Sequence, residues 1–286
     1  MTSTATTWID LDGVVNMRDV GGIPTTDGGA IRRGALLRSD NLQDLTPRDV
    51  AALRERGLTD VVDLRSDTEV AATGPGPLTR EPWVRIHHHS FFDERDLDRD
   101  GVPETSAPGP GPEPAPTEPD PAAAQVPAEA LPWVGLQPST EHDNPATAHY
   151  LSYLSDRPDS VVAGLRVVAE AEGAVLVHCA AGKDRTGTLV ALALLLAGAE
   201  PEAVVADYAA SSERVEQILD RLVSTPTYAA VLGGQPASWH MTHPETMASF
   251  IEHVQPGGDQ SRLRALLARY GWTDADAERL RARLRG

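Results

Sequence analysis

One stretch, Ala174–Gly187 with sequence AVLVHCAAGKDRTG, constrains the fold of this chain more than any other. It opens with a short run, Ala174-Val175-Leu176-Val177, that is apolar throughout and therefore predicts a strand covered on both faces. A tight loop of small residues around Gly182 follows. From Thr186 to Ala197 the residues are those of a helix buried on every side, closed by Gly198. Upstream, Ala148 to Glu172 shows helical spacing with a break near Arg157-Pro158 and a stop at Gly173. Helix, strand, tight loop and buried helix in that order predict a three-layer α/β/α domain with a small, mainly parallel sheet.

The rest of the chain sorts around this unit. Before it, Ala35-Leu36-Leu37-Arg38, Val61-Val62-Asp63-Leu64 and Trp83-Val84-Arg85-Ile86-His87 read as short strands. Val20-Gly21-Gly22-Ile23-Pro24 and Asp27-Gly28-Gly29 read as turns. Thr46-Pro47-Arg48-Asp49 is a helix start, with Thr46 as N-cap and Pro47 at the first helical position, and that helix stops near Gly57. From about 93 to 138 the composition changes. Acidic residues come first, and eleven of the chain's 23 prolines then fall between Gly101 and Pro138. Proline at that density removes amide donors, so an exposed, mostly disordered insertion is expected. A docking site for a proline-binding domain is the functional alternative, although a proline-rich linker needs no partner. Residues 201–286 are nearly all helical in pattern. A single domain over 1–286 is expected, with Ser211 to Phe250 either covering a cleft as a lid or simply packing.

The formal net charge is −17, which argues against nucleic acid and anionic lipid as general partners. The N-terminus lacks a basic start and an apolar run, so no signal peptide is expected. The longest apolar stretch, Leu189 to Ala199, falls short of the about 20 residues that span a bilayer. The chain has one cysteine. An internal disulfide is impossible, which fits a reducing, cytoplasmic setting. That lone cysteine is either a buried apolar residue or a functional thiol.

Cys179 is followed after five residues by Arg185. Hydrolysis of a phosphate ester through sulfur needs three things at one point. It needs a thiol that ionises, and strand ends before helix N-termini with cationic neighbours favour that. Here the neighbours are His178, Lys183 and Arg185. It needs a cradle for phosphate oxygens, and Ala180, Ala181, Gly182, Lys183, Asp184 and Arg185 form a loop whose amides can curl inward toward an anion. Arg185 can close that cradle with a two-pronged contact. It needs help for the sulfur as the intermediate breaks down, which Thr186 can give through its hydroxyl. Thr186 can equally cap the helix, and the two are compatible.

HCAAGKDRTG resembles the P-loop of the protein-tyrosine phosphatase superfamily, and its GKDR form is similar to the atypical bacterial family often called tyrosine/serine phosphatases. Asn16-Met17-Arg18-Asp19-Val20-Gly21-Gly22 resembles that family's N-terminal signature. Arg38-Ser39-Asp40, Val61-Val62-Asp63-Leu64-Arg65-Ser66 and Asp207-Tyr208-Ala209-Ala210-Ser211 match three further segments. The likeness spans about 8–92 and 145–285. It implies a protein-tyrosine phosphatase working through a cysteinyl-phosphate, with phosphotyrosine proteins or other phosphomonoesters as substrates, inorganic phosphate as product and no cofactor. It also implies that Lys183 goes with acceptance of phosphoserine, phosphothreonine or phosphoinositides; the plain alternative is a solvated loop lysine.

Two carboxylates compete as general acid. Asp184 lies inside the loop, where the resemblance places a typical aspartate, but it can instead orient Arg185. Asp63 ends a strand and can reach the cleft, or can cap or pair with Arg65. Arg18 and Asp19 are expected in a turn bracing the loop from below. His87-His88-His89 is not read as a metal site, because neighbours on a strand face opposite ways. A phosphoinositide phosphatase using the same loop, and a phosphate-binding module without catalysis, are the alternative functions.

Overall fold

The computed structural model describes residues 6–94, 131 and 136–285. The proline-rich insertion expected at about 93–138 lies almost wholly outside these. Strands β1 (Thr7–Trp8), β2 (Arg18–Asp19) and β3 (Leu36–Ser39) lead to helix α1 (Pro47–Glu55) and strand β4 (Leu58–Asp63). Helix α2 (Asp67–Thr73) and strand β5 (Arg85–His88) follow. After them come α3 (Pro145–Asp156), α4 (Pro158–Glu170), strand β6 (Ala174–His178) and α5 (Asp184–Leu196). The C-terminal portion holds α6 (Pro201–Ala210), α7 (Val215–Val223), α8 (Pro226–Leu232), α9 (Pro244–Val254), α10 (Ser261–Ala268) and α11 (Asp274–Arg285).

The strands form one sheet in the order β1-β2-β3-β6-β4-β5. Pairing is antiparallel through β1, β2 and β3 and parallel from β3 to β5. The apolar strand β6 is central, with Leu176 opposite Leu37 on one side and Val61 on the other. Side chains alternate between two cores. Val175 and Val177 join Val62 and Leu64 against helices α3 to α6. Leu176 faces the other way, with Leu37, Val61, Val50 and Leu53. Helix α5 is apolar all round because it lies between the sheet and further helices, and Leu189 and Leu192–Ala197 are fully enclosed. Among the described residues no helix is long and apolar enough to cross a membrane.

Three local expectations are corrected. Arg18 and Asp19 do not sit in a turn. They form β2, with Arg18 opposite both Trp8 and Arg38. Helix α5 starts at Asp184, two residues before the expected Thr186, so Thr186 lies within the first turn and does not cap it. Helix α2 was not anticipated, although Ser66-x-x-Glu69 is a capping box in which Ser66 Oγ and Glu69 exchange backbone bonds.

Candidate active site

The central position of β6 sends its C-terminal loop out between the ends of β3 and β4, and both neighbours hold it. Three successive loop carbonyls are fixed from behind. The Asn41 N–H donates to Ala180 O at 2.9 Å. Asn16 Nδ2 donates to Ala181 O at 2.9 Å and Arg38 Nη2 to Gly182 O at 2.8 Å. With those carbonyls turned away, the amide side of the loop faces Cys179. The Gly182 N–H lies 3.3 Å from Cys179 Sγ. Gly182 has φ +69°, and a Cβ there would sit 2.3 Å from Ser39 O. Gly182→Ala is therefore expected to cost about 2–3 kcal/mol of stability and most of the activity, by strain and by displacing the loop from Ser39. Urea unfolding with a parallel assay checks this.

The clamps on the loop are themselves anchored. Asp207 on α6 receives Arg18 Nε at 2.8 Å and Arg38 Nη1 at 2.5 Å. Arg18 also donates to Asn16 Oδ1 at 2.7 Å, orienting the asparagine that holds Ala181. Burial, and next the neighbouring Arg38, push the Arg18 guanidinium down to about 10, still charged at neutral pH. Arg18 thus braces the loop at one remove. Asp19 does not: its carboxylate accepts the Gly21 and Gly34 amides in the N-terminal turns.

Arg185, at the start of α5, is buried, with its guanidinium 5.0 Å over the Phe92 ring. Its partner is Glu69, which sequence reasoning missed. Glu69 has no exposed surface and receives both Arg185 Nη atoms, Nη2 at 3.0 Å. Burial alone would lower the Arg185 pKa, but Glu69 and Cys179 outweigh it and hold the group firmly charged. Glu69 Oε1 also accepts the Tyr228 hydroxyl of α8 at 3.0 Å.

Asp184 and Asp63 occupy different settings. Asp184 borders the same cavity as Cys179 and Arg185. Lys183 Nζ spans its two oxygens at 3.0 and 2.8 Å, and Tyr150 donates to Oδ1 at 2.6 Å. Burial would raise the Asp184 pKa, yet Lys183 and these hydrogen bonds keep it below the usual carboxylate value. Asp63 is enclosed by Arg65, with Nε and Nη2 at 2.9 and 2.6 Å, and its Oδ2 lies 3.6 Å from His178. It faces a separate hollow of about 130 Å³ with Arg65 and His178. Burial would raise it too, but His178 and Arg65 hold it far below the ordinary range.

His178 is buried, and burial lowers its pKa to about 4, so it is neutral at physiological pH. Its Nδ1 lies 3.3 Å from the Cys179 carbonyl rather than on the sulfur. The Thr186 hydroxyl is buried and bonds to none of the described residues, so neither the sulfur contact nor the cap is made. In the histidine run, His87 binds Asp60 and His88 binds the Arg65 carbonyl. Among the described residues no three His, Cys, Asp or Glu side chains gather as a metal would require.

Cys179 forms the floor of a cavity of about 400 Å³ and is itself 2 % exposed. Phe92, His149, Tyr150 and Tyr153 line its sides. The segment expected either to cover the cleft or simply to pack adds Ile218, Leu219 and Leu222 of α7 and Val231 and Leu232 of α8 to the lining. A larger hollow of about 630 Å³ beside β1 and α6 has neither thiol nor histidine in its lining.

Comparison with known proteins agrees with this geometry. The sequence model of the tyrosine phosphatase family matches residues 9–286. The triple specificity protein phosphatase PtpB of Mycobacterium tuberculosis is 36% identical over 219 residues, covering 74% of this chain and 72% of that protein. A tyrosine-protein phosphatase of Nostoc commune is 28% identical over 193 residues, covering 68% of this chain and 53% of that protein. A whole-length family match, a relative at this identity and a thiol and guanidinium set in one amide-lined loop lead to one assignment: the chain belongs to the tyrosine phosphatase family and is an enzyme of that class, a protein-tyrosine phosphatase.

Proposed function

We propose that Cys179, as thiolate, attacks the phosphorus of a bound phosphomonoester in line with the departing oxygen. The S–P bond forms as the P–O bond breaks, and Asp184 gives its proton to the leaving oxygen. Water then attacks the cysteinyl-phosphate, its proton passes to Asp184, the S–P bond breaks and orthophosphate leaves. The observation that carries this reading is the loop itself. Its carbonyls at 180, 181 and 182 are tied behind it, so its amides are preorganised toward the oxyanion above the sulfur. Arg185, with its plane fixed by Glu69, serves as the second grip on phosphate. His178 and Thr186 support this loop through backbone and packing.

Asp184 is favoured over Asp63 because it borders the cavity of the sulfur. It is ionised in the empty site, and an arriving phosphate dianion both draws Lys183 away from it and raises its pKa, which loads the proton. Asp184→Asn is expected to slow hydrolysis of phenyl phosphate by about 10²-fold and to affect more acidic leaving groups much less. Asp63→Asn should act on stability instead. The reverse pattern would transfer the acid role to Asp63.

The aromatic and apolar lining supports phosphotyrosine in proteins as the main substrate. The name of the mycobacterial relative and Lys183 support wider acceptance. Rates on phosphotyrosine and phosphoserine peptides and on phosphoinositides test this. The fastest turnover is expected on phosphotyrosine, and a phosphoinositide preference would reassign the substrate. We place the enzyme in the cytoplasm on its single cysteine, which a reducing compartment suits.

A further inference from the structure

Behind Asp184 stands a pair of tyrosines that the mechanism above leaves unused. Tyr150 of α3 donates its hydroxyl to Asp184 Oδ1 at 2.6 Å. The same hydroxyl lies 2.7 Å from the hydroxyl of Tyr208 on α6. Each phenol has one proton to give. An ionised carboxylate only accepts, so the Tyr150 proton points to Asp184 and Tyr208 must donate to Tyr150. The contacts therefore have a fixed direction, from Tyr208 through Tyr150 to one oxygen of Asp184.

Both ends of this chain are held. Tyr150 and Tyr208 are each 3 % exposed, and their rings meet edge to face at 6.1 Å. The Tyr208 ring rests on Gly187 of α5, where a Cβ would sit 3.0 Å from Cδ2. Its neighbour Asp207 is pinned by Arg18 and Arg38. One turn of α6 thus fixes the loop through Asp207 and reaches the loop carboxylate through Tyr208.

We propose that Tyr208 and Tyr150 are positioning residues for the reaction. They form an ordered donor chain that occupies Oδ1 of Asp184, so that once phosphate draws Lys183 away Oδ2 is the oxygen that carries the transferable proton. This rests on the reading of Asp184 as general acid. Burial keeps both phenols protonated, so the chain stays a donor through the working pH range. Other charged or titratable groups also face Asp184. Lys183 and Arg185 do so from its own loop, Tyr153 and His149 from α3, and His240 from the 237–240 turn. At Oδ1 the Tyr150 hydroxyl is joined by the Lys183 ammonium, which Oδ1 shares with Oδ2.

Tyr150→Phe and Tyr208→Phe keep the rings and remove the hydroxyls. Each takes support from the carboxylate form of Asp184, so the acid should hold its proton to higher pH. The basic limb of kcat is expected to move upward by about one pH unit in Tyr150→Phe and by less in Tyr208→Phe. Turnover of phenyl phosphate should fall about tenfold more than turnover of a substrate with a highly acidic leaving group. KM and vanadate affinity should stay near wild type. Asp184→Asn is measured alongside. If it shows the leaving-group dependence while both tyrosine variants show an unmoved limb and a uniform rate loss, the tyrosine inference alone is overturned. If Asp184→Asn shows no such dependence, the acid reading falls and this inference with it. Thermal melting verifies folding, and should Tyr150→Phe not fold, Tyr208→Phe decides.

Discussion

Cys179→Ser is expected to abolish hydrolysis of p-nitrophenyl phosphate, with a loss of about 10⁴-fold or more. The substitution is close to isosteric. The loop carbonyls are bound by Asn41, Asn16 and Arg38, none of which touches the sulfur, so the cradle should survive. What disappears is the anionic nucleophile, since a serine hydroxyl is far less acidic than a thiol and would need a general base directed at it. His178, the adjacent candidate, is directed at the Cys179 carbonyl. The variant should therefore still bind vanadate while failing to turn over, and turnover within tenfold of wild type would end the covalent mechanism.

Glu69→Ala should be the most destabilising single change near the site. Glu69 is fully buried and receives both Arg185 Nη atoms together with the Tyr228 hydroxyl. Removing it takes away the carboxylate that receives both Nη atoms of a buried guanidinium, and breaking a buried ion pair costs about 3–5 kcal/mol. The effect should extend beyond stability. Arg185 would lose the carboxylate that grips both its Nη atoms, and α8 would lose the Tyr228 bond to Glu69, so kcat/KM should also drop. Glu69→Gln retains hydrogen-bonding atoms and should show a smaller loss in both. Urea unfolding and steady-state kinetics check the pair. Wild-type stability in Glu69→Ala would mean that the guanidinium is held by other groups.

The strand, loop and helix around Cys179 were legible because burial on all sides leaves an apolar signature, and because the Cys and Arg spacing, weak by itself, is flanked by that strand, by Gly182 and by the Thr186-Gly187 helix start. Glu69 was hidden for a simple reason. It pairs with a residue 116 positions away, through the adjacency of β4 and β6, and sequence does not report adjacency. Its local signal, the Ser66-Glu69 capping box, pointed to a helix start and not to the loop. Arg18 and Asp207, 189 positions apart, were each visible as motif residues but not as partners. Asp63 and Asp184 looked equivalent because one ends β4 and the other follows β6, and these two parallel strands end on the same side of the sheet. Arg65, two residues after Asp63, is what separates them. Thr186 moved from cap to first turn because a helix start read from composition was late by two residues.

The two guanidiniums that converge on Asp207 bear on whether this enzyme can be cut into parts. Arg18 and Arg38 belong to the first strands, and both are enclosed. The carboxylate that pairs with both arrives only with α6, after the strand, nucleophile and main buried helix are complete. A ribosome that has released residues 1–200 has made every catalytic side chain but also a pair of interior guanidiniums that still lack the Asp207 carboxylate. Maturation of the nucleophile loop should therefore wait for the C-terminal helices, and a fragment that ends near residue 200 is expected to lack phosphatase activity.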